Sequence, residues 1–496
     1  MSDEQLMRIN LSLVSHTNIG KTTLARTLLG RDIGEVADRP HVTETNDDYV
    51  LIRASDGCSE LVLWDTPGFG DSVRLAKRLE GRANPLGWFL SEVWDRMSNK
   101  ALWLNQRALK HVRDTSSVVL YLVNASESPQ ACSYIAAEMQ ILSWIGKPVI
   151  VLLNQMGKPR EQELEEAELK RWVDYMSQYP LVKTVLPMDA FARCWVQEFA
   201  LFDAIGNVLT DEQKVTFEAL REAWTRQRRA VYSTSIEAIA DYMTQLAVDH
   251  EELSNYSLTE QVKDWGRRLG VVKLQSGPIE DAKNALAARA ADCLCNLTQR
   301  LIDAHQLEGS GVKREILRRL KTDWTVNTAA NPKGAAIVGA VGAGAATGIA
   351  ADIGAGGLTA GLGTLLGTVI GAIGGAGAAL AYNQVKGVHG TRVSWSKMAL
   401  QNFLLEAVLL YLAVAHFGRG RGYWEESEAP AFWKDVVIAE MKKLPKEYDT
   451  TVLTEPDSIE SLSKQTTDTI IRAVLYDLYK NCLLYTSPSP RDVEES

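Results

Sequence analysis

Cysteine is scarce and scattered in this chain of 496 residues: Cys58, Cys132, Cys194, Cys293, Cys295 and Cys482 form no CxxC pair and have no histidine at metal-ligand spacing. They read as reduced thiols, neither a zinc framework nor a disulfide scaffold. Positive charge is also short. Lys and Arg number 53 against 62 Asp and Glu, a formal net charge of −9, which argues against a general nucleic-acid binder and leaves no direct DNA contact to expect. The first residues, Met1-Ser2-Asp3-Glu4-Gln5, lack the basic start and apolar stretch of a secretory signal, so a cytoplasmic chain is expected. No Ser-His-Asp order, HExxH or paired Cys/His cluster stands out. Charge of either sign disappears between Gly334 and Tyr382, where Asp352 is the single exception.

What is present is globular, 46% hydrophobic and 23% charged, and too long for one core. Ile9 to Val14 reads as a buried strand, followed at once by a glycine loop and a helix at Lys21–Leu29. Strands at 49–53 and 60–64 flank Asp56-Gly57, a hairpin signal because both residues tolerate positive φ. Further strands at 118–123, 149–153 and 184–187, with a helix at 131–145, predict a mostly parallel, doubly wound α/β sheet with one antiparallel edge. The expected domains are 1–210, with a helical insertion at about 71–114, then a helical domain at 211–332. Ile236, Ile239, Met243 and Leu246 mark one buried stripe there, and Leu294, Leu297 and Leu301 another. A Gly/Ala-rich apolar hairpin at 333–386 and a helical region at 387–482 follow. The tail 483–496, whose Leu484 to Asp492 resembles translated adapter DNA, is set aside as non-native.

A polyphosphate needs converging backbone N–H groups, a cation and a hydroxyl on magnesium, and GxxxxGK[ST] supplies all three. Here Ser15-His16-Thr17-Asn18-Ile19-Gly20-Lys21-Thr22 reads SxxxxGKT, with Ser15 in place of the first glycine. Ser15, Asn18, Ile19, Gly20, Lys21, Thr22 and Thr23 are therefore nucleotide-binding candidates. His16, inside the loop, is placed to contact nucleotide, but the favoured reading is a solvent-facing loop residue. At the end of a later strand comes Asp65-Thr66-Pro67-Gly68, where a carboxylate reaches the magnesium shell through water and a glycine N–H meets the γ-phosphate. Thr43 or Thr45 supplies the remaining magnesium ligand from the first switch, Thr43 being favoured. Lys21, Thr43 and Gly68 are the catalytic candidates, and Thr22, Thr43 and Asp65 the metal ligands.

Thr17 to Leu24 together with Asp65-Thr66-Pro67-Gly68 resembles the Era-like, HSR1-related ribosome-binding type of TRAFAC-class P-loop GTPase over the first 200 or so residues. The whole chain resembles bacterial GTPases in which this domain precedes a glycine-rich C-terminal half of unknown function. The resemblance implies GTP and GDP as ligands, Mg2+ as cofactor and hydrolysis of GTP to GDP and phosphate. Two departures stand out. The family's NKxD guanine motif is here Asn154-Gln155-Met156-Gly157, which keeps Asn154 but has no aspartate, so base preference rests on the resemblance and on a substitute. The family's SAK-like loop corresponds to Met188-Asp189-Ala190-Phe191: the Ala190 N–H faces the guanine oxygen, and Asp189 is either the substitute carboxylate or a helix N-cap. Phe69 stands where signalling GTPases place a water-orienting glutamine, so hydrolysis is expected to be slow. In relatives with a hydrophobic residue there, an asparagine matching Asn18 helps to bind K+; a simple loop hydrogen bond is the other reading.

Gly363, Gly367, Gly371 and Gly375, continued by Ala379, recur every fourth residue and predict a smooth ridge on a helix, a glycine zipper. Three readings stay open for Gly334–Tyr382: a membrane hairpin with both ends cytoplasmic, a buried or self-associating soluble hairpin, and disorder. The first makes the protein a GTPase switch at the inner membrane, with lipid and a second copy of the chain as partners. The alternatives are a nucleotide-binding interaction protein with negligible turnover and a ribosome-assembly GTPase.

Overall fold

A computed structural model describes residues 6–30, 47–80, 84–85, 87–88, 100–157, 160, 162–190, 194–253, 278–307, 378–381, 391–395, 397–417, 430–444 and 456–479. Thr43, Thr45, Phe191, the ridge Gly363 to Gly375 and the tail from 480 onward lie outside these residues. The described residues fall into two compact units, the first chiefly within 1–231 and the second within 232–414 and 423–477.

The first unit is built on six strands: β1 (Met7–Ser15), β2 (Asp47–Arg53), β3 (Ser59–Asp65), β4 (Val118–Asn124), β5 (Val149–Asn154) and β6 (Val182–Pro187), in the order β2-β3-β1-β4-β5-β6. All neighbours run parallel except the hairpin of β2 on β3, whose Gly57 has φ 72°. Side chains of a strand alternate between faces, and both faces here are apolar. Leu11, Leu13, Leu120, Leu122, Ile150 and Leu152 enter one core, while Val14, Val119, Tyr121, Val123, Val151 and Leu153 enter the other. Such strands have no solvent face, so functional groups gather at their C-terminal ends, where the loops turn back into helices.

Those helices are α1 (Lys21–Leu29), α2 (Ser72–Leu79), α3 (Lys100–Thr115), α4 (Ser133–Ile145), α5 (Gln162–Met176) and α6 (Trp195–Val208), followed by α7 (Asp211–Val248). Helix α1 is bounded by left-handed glycines, Gly20 before it and Gly30 after it. Helices α2 and α3 occupy the described part of the expected insertion after Asp71.

In the second unit α7 contributes Ile236, Ile239, Met243 and Leu246, all buried, and α8 (Pro278–Ala304) contributes buried Leu294, Leu297 and Leu301, as the periodicity predicts. Helices α9 (Lys397–Ala415), α10 (Ala431–Lys443) and α11 (Pro456–Leu478) complete a mainly helical half. It also holds a small antiparallel sheet, β7 (His250–Leu253), β8 (Ala378–Ala381) and β9 (Thr391–Trp395), in the order β7-β9-β8. Ala379, expected to continue a helical ridge, is instead a strand residue paired with Ser394 of β9, a pairing with a distant segment that overrides the weak strand preference of alanine. Among the described residues no helix is long and apolar enough to cross a membrane.

Candidate nucleotide site

The loop between β1 and α1 is shaped by two left-handed residues, Asn18 with φ 64° and Gly20 with φ 92°. Gly20 has a second constraint. A Cβ there would lie 2.8 Å from Nδ2 of Asn154, closer than real Cβ atoms come to a neighbour. Asn154, at the end of β5, donates from Nδ2 to the Ile19 carbonyl at 2.6 Å and accepts the Ala190 N–H on Oδ1 at 2.8 Å. One buried amide thus joins the phosphate loop, the end of β5 and the loop after β6. Thr27 adds to this junction by donating to the Ala190 carbonyl at 2.8 Å.

At the end of β3, the hydroxyl of Thr22 donates to Oδ2 of Asp65 at 2.5 Å, while Oδ1 is buried without a hydrogen-bond partner among the described residues. A hydroxyl beside a carboxylate with an unused oxygen is a hard, oxygen-only donor set, and it fits magnesium. Lys21 is 7% exposed and donates from Nζ to Oγ of Ser15 at 3.1 Å. Burial pulls its ammonium below the ordinary lysine range, and the carboxylates of Asp65 and Glu138 act against that. Burial likewise raises Asp65, opposed by Lys21 and by the Thr22 hydroxyl. A cation and a carboxylate held this deep without further polar partners are costly unless a ligand completes them.

Gly68 lies against the phosphate loop: a Cβ on it would be 3.0 Å from Nζ of Lys21 and 3.1 Å from Cα of Thr17. The Phe69 N–H donates to the Ser15 carbonyl at 2.9 Å, forming an isolated parallel bridge between His16 and Phe69. The Phe69 ring is 1% exposed and sits in the core with Leu75, Leu79, Ile135 and Met139. Thr66 ties the same turn to β1 through the Leu13 carbonyl at 2.6 Å.

Asp189 is not the N-cap of α6, a place taken by Cys194. Its Oδ2 instead accepts the Met156 N–H at 2.6 Å, next to Gly157, which has φ 82° and nothing within 4 Å of its Cβ direction. Ser15, Asn18, Ile19, Gly20, Lys21, Thr22, Thr23, Asp65, Gly68, Asn154, Asp189 and Ala190 are thus brought to one end of the sheet.

His16, read as facing solvent, keeps 30% of its side chain exposed but is also tied inward. Its ring is stacked on Tyr134, with centroids 4.4 Å apart, and its Nδ1 is 2.8 Å from Oε1 of Glu138. Glu138 and Asn105 are site-adjacent residues that motif reading misses. Asn105, on α3, donates to the Gly70 carbonyl at 2.6 Å and accepts the Gly70 N–H at 3.0 Å. Glu138 is the one charged residue of Ser133–Ile145, a signal the sequence carries, whereas Asn105, beside Gln106 and Arg107 in Lys100–Thr115, carries none.

The family profile described as a domain of unknown function, DUF3482, matches residues 181–467, and that described as 50S ribosome-binding GTPase matches residues 10–155. GTPase Era of Geotalea uraniireducens is 24% identical over 345 residues, covering 66% of this chain and 97% of its own. The probable GTP-binding protein EngB of Koribacter versatilis is 21% identical over 202 residues, covering 40% of this chain and 85% of its own. A crystal structure of Aquifex aeolicus Era bound to GDP.AlF4- aligns with TM-score 0.30 and 17% identity, over 41% of this chain and 58% of that one. With more than half of its length matched by the first profile and its phosphate-loop unit by the second, the chain belongs to the DUF3482 family and is a GTP-binding, Era-like P-loop GTPase.

Proposed function

We propose that the protein hydrolyses GTP slowly, as a timed switch, with the phosphates held by the loop from Ser15 to Thr23. The observation that carries this reading is the approach of Lys21, Thr22, Asp65 and Gly68 to one another at the strand ends, with the Phe69 ring turned into the core. The Lys21 ammonium pairs with the terminal phosphates, and the Gly68 N–H meets the γ-phosphate. Thr22 and Asp65, with Thr43 from the first switch, would hold magnesium, which neutralises charge on the phosphates when bound. Water attacks the γ-phosphorus, the bond to the β-phosphate oxygen breaks, and GDP and phosphate leave. A buried phenyl ring orients no water, so the intrinsic rate is low. Asn18 gives K+ a route to assist. Asn154 braces the phosphate loop through the Ile19 carbonyl, and because its Oδ1 already takes the Ala190 N–H, that N–H is not left for the guanine oxygen as the resemblance implies.

The effector half acts from the cytoplasmic face of the inner membrane in this reading, with Gly334–Tyr382 as lipid contact or self-association surface. A second reading, a ribosome-assembly GTPase, is favoured by the description of the profile matching residues 10–155. The deciding experiment compares binding of GTP, ATP and their diphosphates, then phosphate release in K+ and in Na+. GTP preference with faster release in K+ is expected. Equal rates in the two salts remove the role of Asn18, and absence of GTP binding removes the whole reading. Sedimentation of the full chain with membranes or with ribosomal particles separates the two cellular roles.

A further inference from the structure

Glu138 is fully buried in the middle of α4, a helix otherwise apolar on its inner face, and both of its oxygens are used. Oε2 accepts the hydroxyl of Tyr121, from β4, at 2.7 Å, and Oε1 faces Nδ1 of His16 at 2.8 Å. A carboxylate accepts and does not donate, so the His16 proton sits on Nδ1. Burial first, and the charge of Glu138 second, push the Tyr121 hydroxyl well up, which keeps it a donor. Tyr134 stacks on a face of the imidazole. A buried carboxylate with no role is a cost that an apolar side chain would avoid.

The phosphate loop hangs on this clamp. The His16 carbonyl accepts Oγ of Ser15 at 2.5 Å, and the same Oγ accepts Nζ of Lys21 at 3.1 Å. The Ser15 carbonyl holds the Phe69 N–H, and Gly68 lies so near the loop that a Cβ on it would be 3.1 Å from Cα of Thr17. A displacement of His16 therefore reaches the cation and the γ-phosphate contact together. We propose that His16, anchored by Glu138 and Tyr121, is a positioning residue for GTP hydrolysis, setting Lys21 and Gly68 at the γ-phosphate from beneath the loop. It rests on the GTPase reading above and adds α4 to the machinery.

The test uses the full chain and compares His16→Ala, His16→Asn, Glu138→Ala and Glu138→Gln. An asparagine amide donates from near the place of Nδ1, and a glutamine keeps an acceptor toward His16, so both conservative variants preserve the link without the ring or the charge. His16→Ala and Glu138→Ala are expected to lower kcat by roughly 10–100-fold, the effect of a misplacement of about 1 Å remote from the reacting atoms. GDP affinity and thermal midpoint of His16→Ala stay within about threefold and a few degrees, while the Asn and Gln variants recover most of kcat. The ratio of affinities for a non-hydrolysable GTP analogue and for GDP is read beside turnover and falls in the alanine variants. A wild-type protein that binds no nucleotide overturns the GTPase reading and this one with it. A wild type that turns over, with His16→Ala unchanged in kcat and in that ratio, overturns this proposal alone, as does equal loss of GDP and GTP-analogue affinity. Glu138→Ala leaves a cavity and an unpaired tyrosine, so where it fails to fold the His16 pair decides.

Discussion

In the six-stranded sheet β4 and β5 are buried along almost their whole length, whereas β7 of the three-stranded sheet is mostly polar, reading His250-Glu251-Glu252-Leu253. The consequence shows in where each unit keeps its charge. Strands buried on both faces gather their polar groups mainly at their ends, and Ser15, Asp65 and Asn154 are the last residues of β1, β3 and β5. In the second unit charged side chains fasten one element to another. Arg289 of α8 pairs with Asp249 at 2.8 Å and with Glu251 at 2.5 Å, and Arg300 reaches Asp241 at 2.6 Å. The lesson is that buried ionic groups such as Lys21 and Asp65 are placed for a ligand, while half-exposed pairs such as Arg289 with Asp249 are placed for attachment.

The strongest way to break this contrast is Lys21→Ala. It is expected to lower affinity for a fluorescent GTP analogue by ~100-fold or more, since charge-assisted hydrogen bonds contribute about 1.5–3 kcal/mol each. Unchanged affinity would mean that the buried cation is structural.

A pH titration of stability sharpens the same contrast inside the first unit. His111 is buried, its Nε2 lies 3.1 Å from Oγ of Ser12, and burial lowers its pKa from 6.5 to about 4. The folded state disfavours the charged ring, so the unfolded chain takes up a proton first as pH falls. The contribution is therefore full above pH 6.5 and is lost progressively toward about pH 4. The unfolding free energy from denaturant titrations should fall across that window by up to about 3 kcal/mol, and His111→Gln should flatten the fall.

Gly20→Ala tests whether the loop shape itself matters. The positive φ and the 2.8 Å approach to Asn154 should cost about 1–3 kcal/mol of stability and weaken nucleotide binding in parallel. Thermal unfolding with and without GDP reads both effects.

The smallest expected change is in the second unit. Arg289→Ala should lower stability by about 0.5–1 kcal/mol and leave GDP affinity as it was, because half-exposed ion pairs contribute little. A clear loss of nucleotide affinity in calorimetry would show that the fastening residues also serve the site.

Much of the phosphate-binding end was legible because its signals are local. An apolar run, a left-handed glycine and a lysine within a few residues determine strand, loop and helix together, and α1 spans Lys21–Leu29 as its caps demand. The same holds for the stripes on α7 and α8, where a 3.6-residue period marks the buried face in advance. Base recognition was only half legible: the missing aspartate at Gly157 is plain in the sequence, but that Asp189 accepts the Met156 N–H and leaves the N-cap of α6 to Cys194 depends on how two loops meet.

By itself, the sequence determined the six strands of the first unit in chain order, the helices at 21–29 and 131–145 and the identity of the phosphate loop, because each is written in contiguous residues. Tertiary structure alone decided that His16 turns inward to Glu138, 122 positions away, and that Phe69 joins the core instead of facing the loop. It also decided that residues 250–253, 378–381 and 391–395 form one sheet. Pairings between distant segments cost chain entropy and are favoured only once the partner surface exists, so no short stretch of sequence announces them.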